Sequence, residues 1–228
     1  MKPVRRFRLI VFLACMTALA QKPVVNPGGV VNAASFAAVA DNGQALPLAP
    51  GGIASLFGEN LAAGPLQANV LPLPTTLDGT TVTVNGVKAP LFYASPLQIN
   101  FQVPSSMEQT IPSLGVPGVV SIVVTTAAGS SEPVTATVFL NSPGIFTQNS
   151  MGCGAGAILN VRPDGSVSLN SPSNSASPSD YLAIFATGLG LAGVQPADGE
   201  PAPTQPLAVL QYGSGVQFYF GLSPLDGP

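Results

Sequence analysis

The sequence predicts an all-β protein of tandem β-sandwich modules, the second of them incomplete. Short apolar runs alternate with turn signals roughly every 8–12 residues, as they do in sandwiches. Outside the N-terminal segment, no window of helical length repeats its apolar residues with the helical period of about 3.6. The chain has 25 glycines, 24 prolines and only 7% charged residues, which suits many turns and short strands. Because 46% of its residues are hydrophobic, the composition argues against disorder.

An internal repeat at a spacing of 128 residues indicates two copies of one module. Residues 49–61 (APGGIASLFGENL) align with residues 177–189 (SPSDYLAIFATGL). Separated matches in one register predict a first module at residues 30–147 and a second at 148–228. The second copy lacks counterparts of the last strand and hairpin, so we expect it to borrow cover from the first module or to be poorly ordered. The aligned residues are Pro50 and Pro178, Phe57 and Phe185, Leu61 and Leu189, Val31-Asn32 and Leu159-Asn160, and Phe92, Ser95-Pro96-Leu97 with Phe220, Ser223-Pro224-Leu225.

The first module opens with a strand and a hairpin that have clear local signals. Ile53–Phe57 follows the turn residues Pro50-Gly51-Gly52 and is predicted to be a strand. Val82 and Val84 alternate with threonine before Asn85-Gly86, a pair that favours the two positive φ angles of a type I′ turn. Pro90 interrupts the return strand, which predicts an edge strand or a bulge there.

Alternation predicts the remaining strands of the first module. In residues 97–103 (LQINFQV), Leu97, Ile99, Phe101 and Val103 are predicted to face the core, and Gln98, Asn100 and Gln102 the opposite side. Residues 119–126 and 133–140 form a second predicted hairpin, which buries Val120, Ile122 and Val124 with Val134, Ala136 and Val138. In the second module, strands are predicted near residues 157–160, 181–186 and 216–220, with a turn at 163–165 and a loop at 166–179.

The N-terminus has the pattern of an export signal. Lys2, Arg5, Arg6 and Arg8 precede the apolar run Leu9–Ala20, which ends in the small-residue pattern Ala18-Leu19-Ala20. Residues 1–20 are therefore predicted to be a signal peptide and residues 21–29 a linker. Two alternatives are a buried core helix and a lipoprotein signal ending at Cys15. We expect an exported protein in the extracellular space, at the cell surface or in the periplasm, without a membrane span after cleavage.

Charge and cysteine content limit the partners. Without residues 1–20, only Lys22, Lys88 and Arg162 oppose ten acidic residues, a net charge of −7. This balance argues against nucleic acid and against an anionic membrane surface as partners. Cys153 would be the only cysteine left, so no intramolecular disulfide is expected and stability must come from packing.

Several motifs together resemble an uncharacterised domain family of exported acidobacterial (Solibacter-type) proteins, often found at the C-terminal end of larger proteins. The resemblance covers Val30 to Leu225, and members of that family continue with a strand and closing hairpin that this chain lacks. The glycine-rich start is also similar to IPT/TIG modules, which implies immunoglobulin-like sandwiches. The family implies export and fold but carries no assigned catalytic residues. The motifs are VVNAASF, PGGIASLFGENLA, LPTTLDGTTVTVNGVKAPLFYASPLQINFQVP, PGIFT, GAILN and DYLAIFATGLG.

Candidate catalytic chemistry is sparse. The chain contains no histidine, which excludes Ser-His-Asp and Cys-His catalysis, and it has no nucleophile elbow, Walker loop or dinucleotide fingerprint. Cys153 lies between two glycines without a neighbouring base, so we interpret it as structural or incidental. Asp198 and Glu200, with Asp180, are the best calcium candidates but do not have EF-hand spacing. We therefore predict no catalytic, cofactor or metal site.

The aromatic residues allow two interpretations, a sugar-stacking platform or core packing. We favour core packing, because most of them lie in strand patterns and the chain has no tryptophan. The residues are Phe92, Tyr93, Phe101, Tyr181, Phe185, Tyr212, Phe218, Tyr219 and Phe220.

The sequence therefore predicts a non-enzymatic exported protein with a structural or adhesive role, as a spacer or as an interaction module for an unknown protein or polysaccharide. The alternative is a carbohydrate-binding accessory module of a secreted enzyme system, which requires exposed aromatic residues or a calcium site. A hydrolase that uses carboxylates alone is a third hypothesis, which requires acids brought together by the fold.

Overall fold

The computed structural model describes residues 21–37, 46–206 and 209–210, and it confirms the all-β prediction. Every strand pair in it is antiparallel. The helical content of these ranges is a short 3-10 helix at Ser105–Thr110. No helix within them is long and apolar enough to cross a membrane. The predicted strand at residues 216–220 lies outside the described residues.

Two antiparallel sheets form a sandwich from the first part of the chain. The first sheet has the order β1-β2-β7-β6-β3, and the second has the order β10-β8-β4-β5 with β9 paired to β8. The strands of the first sheet are β1 (Val24–Asn32), β2 (Ile53–Glu59), β3 (Leu66–Gln67), β6 (Leu91–Ala94) and β7 (Gln98–Gln102). Those of the second are β4 (Thr81–Val84), β5 (Val87–Lys88), β8 (Gly118–Thr126), β9 (Gly129–Ser130) and β10 (Val134–Val138).

The inner faces of both sheets share one apolar core, because alternate residues of each strand point to the same side. Burial of these side chains is the main stabilising contribution to the sandwich. The most deeply buried large residues of the strands, each at most 1% exposed, are Leu56, Leu91, Ile99 and Phe101 from the first sheet and Val82, Val84, Val120, Ile122, Val124 and Val138 from the second.

Both predicted hairpins are confirmed. Asn85 and Gly86 have φ values of 48° and 80°, as the predicted type I′ turn between β4 and β5 requires. In the second hairpin, β8 pairs with β10, with Ile122 opposite Val134 and Val120 opposite Ala136. The core alternation of residues 119–126 is therefore as predicted.

The alternation predicted for residues 97–103 holds except at its first residue. Ile99, Phe101 and Val103 are buried, whereas Leu97 is 64% exposed. The reason is a turn at Ser95, whose hydroxyl oxygen accepts hydrogen bonds from the backbone N–H groups of Leu97 and Gln98. The strand begins only at Gln98, so Leu97 belongs to the turn and its side chain does not follow the pleat.

The predicted linker at residues 21–29 is largely wrong, because β1 begins at Val24. Val24 pairs with Glu59 and Val25 with Gly58, and pairing resumes at Val30 with Leu56. The proline- and glycine-rich residues between Val25 and Val30 form an irregularity within a paired strand. Proline and glycine occur at bulges within strands as well as in linkers. The composition of residues 21–29 therefore does not distinguish a linker from an irregular strand.

An edge strand or a bulge was predicted at Pro90, and the structure has both close to this residue. β5 is an edge strand of the second sheet, and Pro90 lies buried in the connection that carries the chain from there to β6 in the first sheet. Its carbonyl oxygen accepts a hydrogen bond from Gln102 N at 2.8 Å. β6 itself has a register shift between Leu91 and Tyr93, so both the edge strand and a bulge occur in this region.

The second part of the chain forms smaller sheets. β11 pairs with β15, and β12 lies between β13 and β14. β13 falls within the predicted loop at residues 166–179, which is therefore wrong at its start: the turn at residues 163–165, closed by Gly165 N to Arg162 O, folds the chain back onto β12. The strands are β11 (Gly144–Ile145), β12 (Ile158–Val161), β13 (Val167–Leu169), β14 (Tyr181–Ile184) and β15 (Ala186–Thr187).

Strand pairing follows the internal repeat. Val31 pairs with Ser55 in the first copy, and Leu159 pairs with Ala183 in the second, each shifted by 128 residues. The aligned asparagines, Asn32 and Asn160, are both buried and hydrogen-bonded through their side chains, as buried amides require. β1–β2 and β12–β14 are therefore strand pairs at equivalent positions of the repeat, and the division of the chain into two modules stays a prediction.

The second part of the chain contacts the first sandwich through residues 187–199. Thr187 Oγ1 accepts a hydrogen bond from Ile53 N at 2.7 Å, and Gly199 N donates to Gln102 Oε1 at 2.7 Å. Ser142 N donates to Gly188 O at 2.7 Å. The three-stranded sheet keeps apolar side chains exposed nonetheless, including Tyr181 at 76%.

Candidate functional site

The outer face of the first sheet carries an uncharged surface of three amides and two aromatic rings. Gln67, Phe92, Tyr93, Gln98 and Asn100 line an open depression with a volume of about 400 Å³. These five residues are called the amide–aromatic surface below. They come from the neighbouring strands β3, β6 and β7, so a rigid sheet holds their backbones.

A bulge in β6 places the two aromatic residues side by side. Leu91 pairs with Phe101 and Tyr93 with Asn100, which leaves Phe92 as an extra residue in the strand. A regular strand would point successive side chains to opposite faces, whereas a bulge changes this alternation. Leu91 and Ala94 consequently enter the core, while Phe92 and Tyr93 are half-buried and line the depression.

Hydrogen bonds hold the amides of β7 in place. Asn100 Oδ1 accepts hydrogen bonds from Ser55 Oγ at 2.9 Å and from Gln98 Nε2 at 2.8 Å. Ser55 is completely buried, so its hydroxyl provides a fixed anchor. The Asn100 oxygen therefore accepts two hydrogen bonds, and no group in the described ranges accepts one from its Nδ2 group.

The third amide of β7 has a different role. Gln102 accepts a hydrogen bond from Gly199 N through Oε1 and donates from Nε2 to Gly51 O at 3.4 Å. Gln102 and Phe92 also line a second depression, of about 330 Å³, beside the segment that includes Thr187 and Glu200. Gln102 therefore fastens the second part of the chain to the sheet, and Phe92 lies at the border of the two depressions.

Two of the three calcium candidates, Asp198 and Asp180, bind separate backbone groups. Both carboxylate oxygens of Asp198 accept the backbone N–H of Ser105 at 3.1 Å, and Asp180 Oδ2 accepts from Ser177 N at 2.9 Å. Glu200 is exposed. No group of three or more potential metal-ligating side chains occurs in the part of the chain that the structure describes.

Asp164 belongs to a further turn. Its Oδ1 accepts the backbone N–H of Ser166 at 2.8 Å. Hydrogen bonds from the side chain and the backbone of Ser166 hold the pKa of the Asp164 carboxyl below its ordinary value, since they favour the charged form. Like Asp180, this carboxylate stabilises its own turn.

Cys153 is exposed and not bonded to another cysteine. It lies between Gly152 and Gly154, both with positive φ, in the turn that joins the bridge partners Thr147 and Gly156. The structure places neither a base nor a cation among its hydrogen-bond partners in the described ranges, and the structural interpretation of this residue stays a prediction.

Core packing was predicted for the aromatic residues, and among those that the structure describes only Phe101 lies in the core. Phe101 is fully buried, whereas Tyr181 and Phe185 are 76% and 52% exposed, and Phe92 and Tyr93 belong to the amide–aromatic surface. Tyr212, Phe218, Tyr219 and Phe220 lie outside the described residues.

The fold and this surface define an all-β sandwich protein with an open, uncharged depression on one sheet. No protein-family model matches the chain, and neither does any curated protein. Among solved structures, it is similar to an auxiliary nutrient binding protein from Bacteroides ovatus, with 13% sequence identity and a TM-score of 0.29. The similarity covers 75% of this chain and 40% of that protein, so the chain spans less than half of that protein's length.

Proposed function

We propose that this protein is an exported, non-catalytic β-sandwich module of the Solibacter-type family that it resembles, and that it serves as a spacer or interaction surface outside the cytoplasm. The observation that carries this proposal is the use of the carboxylates. Asp164, Asp180 and Asp198 each accept backbone N–H groups at different places, a structural role that gives each one a reason to be present without catalysis.

Strand addition at β5 is a poor route to a partner. β5 is an exposed edge, but it has only two residues, one of them Lys88. Short edge strands that carry lysine discourage pairing with another chain. A side-chain surface on a sheet face is therefore a better candidate for the interaction than the edge near Pro90. The alternative role, carbohydrate binding, would use such a sheet face.

Export is tested with a reporter fusion. Residues 1–29 fused to alkaline phosphatase, which requires disulfides formed outside the cytoplasm, should give active enzyme. The paired substitution Phe12→Arg and Leu13→Arg interrupts the apolar run and should abolish activity. Cys15→Ala should leave processing unchanged, and loss of processing in that variant would instead indicate a lipoprotein. Equal activity of the native and the doubly substituted fusion would contradict export by this segment.

The non-catalytic role is tested with the chain from residue 21 onward. Incubated with soluble polysaccharides, it should release no reducing ends above the buffer control, since Asp180 and Asp198 are engaged with backbone groups. Asp180→Asn and Asp198→Asn are the matched variants. Time-dependent release that either substitution abolishes would identify a carboxylate hydrolase and overturn the proposal.

A further inference from the structure

The amide–aromatic surface has a composition that sandwich stability does not explain. Phe92 and Tyr93 already lie outside the core cluster, and a bulge is needed to bring both to the same face. Half-exposed aromatic rings leave part of their apolar area in contact with water, so they gain less from folding than a buried ring. Two such rings beside fixed amides are the arrangement that ligand sites use.

The surface is also organised before any ligand arrives. Buried Ser55 fixes Asn100, and Gln98 donates to the same oxygen, so two of the three amides, Gln98 and Asn100, are joined in one network. Holding a polar group in its binding orientation lowers the entropy that binding costs. The depression of about 400 Å³ falls within the range of roughly 300–1,000 Å³ usual for small-molecule sites.

The chemistry of the lining selects the class of ligand. Amides both donate and accept hydrogen bonds, which matches hydroxyl groups, and aromatic faces match the C–H faces of a sugar ring. None of the five residues is charged, and the chain after residue 20 has a net charge of −7, which disfavours anionic ligands. The depression is open, so a ligand longer than the depression can extend beyond it.

We propose that the amide–aromatic surface binds a neutral polysaccharide, with Tyr93 and Phe92 stacking on sugar rings and Asn100, Gln98 and Gln67 hydrogen-bonding to hydroxyl groups. This inference rests on the proposed function, because it gives the interaction module its ligand. It assigns no chemical step to the protein.

Affinity electrophoresis of the chain from residue 21 onward tests the proposal. The gels contain soluble mixed-linkage β-glucan, xyloglucan, galactomannan or dextran as neutral probes and polygalacturonate as the anionic probe. At least one neutral polysaccharide should retard migration. Tyr93→Ala should weaken that retention at least tenfold, and Gln67→Ala, at an exposed position, should weaken it by a smaller factor.

Tyr181→Ala is the matched control, since Tyr181 is an exposed aromatic residue on β14 in another sheet. It should retain the native affinity, and thermal unfolding should show that all variants fold. Retention by no neutral polysaccharide, by polygalacturonate alone, or equally in Tyr93→Ala and Tyr181→Ala would overturn the proposal. Binding of a protein at this surface would contradict the polysaccharide ligand but not the proposed role as an interaction module. Release of reducing ends would instead contradict the proposed non-catalytic function.

Discussion

Replacing Phe101 with alanine should lower the free energy of unfolding by about 3–5 kcal/mol, the usual cost of truncating a buried aromatic residue. Phe101 is completely buried and belongs to the core that joins both sheets. It lies on β7, between β2 and β6, so a cavity there weakens the packing of three strands. This is a large part of a typical total stability of about 5–15 kcal/mol.

Phe92→Ala is the matched control for this substitution. It removes the same side chain from the adjacent strand, but from a half-buried position on the outer face. The expected loss is about 1 kcal/mol, as for most substitutions outside the core. Denaturant unfolding monitored by circular dichroism measures both values. Equal losses for the two variants would show that Phe101 and Phe92 are not divided between core and surface as the structure has them.

The contrast between these phenylalanines shows where sequence reasoning succeeds. Phe101 lies in a regular run, LQINFQV, and the period of two correctly predicted its burial as well as the outward amides Gln98 and Asn100. The two hairpins were predictable for a similar reason. Asn85-Gly86 favours one turn geometry locally, and the alternation in residues 119–126 indicates which side chains face the core, so both hairpins have a signal within their own residues.

The amide–aromatic surface was not predicted, although part of its signal is in the sequence. Gln98 and Asn100 alternate with buried residues along β7, and that outward pattern without charge is a usable indication of a polar binding face. Phe92 and Tyr93 are adjacent, however, and regular alternation would send one of them to the core. Pro90 predicts an edge strand or a bulge nearby, but only the register of β6 against β7 shows that Phe92 is the extra residue.

The same limit applies to the linker and to the second part of the chain. The proline- and glycine-rich composition before Val30 predicts a linker, because local composition does not distinguish a linker from an irregularity in a paired strand. In the structure Val31 pairs with Ser55 and Leu159 pairs with Ala183, a separation equal to the 128-residue spacing of the repeat, but the sequence matches alone did not indicate which strands would pair. The contacts of Thr187 and Gly199 with the first sheet have no counterpart in the repeat and depend on tertiary packing.

Gly188 is the point at which these contacts are most sensitive to substitution. It is buried with a φ of 76°, and a Cβ added there would lie 2.1 Å from Ser142 O and 3.0 Å from Asn32 Nδ2. Its carbonyl oxygen accepts from Ser142 N, and Asn32 Nδ2 donates to Ser142 O at 2.9 Å. A methyl group at this position therefore displaces the backbone of Ser142 and breaks the contact between the first sandwich and residue 188.

Gly188→Ala should consequently cost roughly 2–5 kcal/mol, from about 1–2 kcal/mol for a left-handed alanine and about 1–3 kcal/mol for overpacking. We expect β15 to separate from β11 and Ile53 N to lose its bond to Thr187, because both contacts lie next to residue 188. Limited proteolysis should then cut the second part of the chain first and leave a fragment that contains the first sandwich.

Gly165→Ala separates the two contributions. Gly165 has a similar φ of 83°, but a Cβ there meets nothing within 4 Å, so only the left-handed conformation costs free energy. That variant should keep the native cleavage pattern with a loss of about 1–2 kcal/mol. If Gly188→Ala behaves like Gly165→Ala in both measurements, residues 187–199 do not hold the two parts of the chain together. In that case the second copy must be stabilised by contacts of its own.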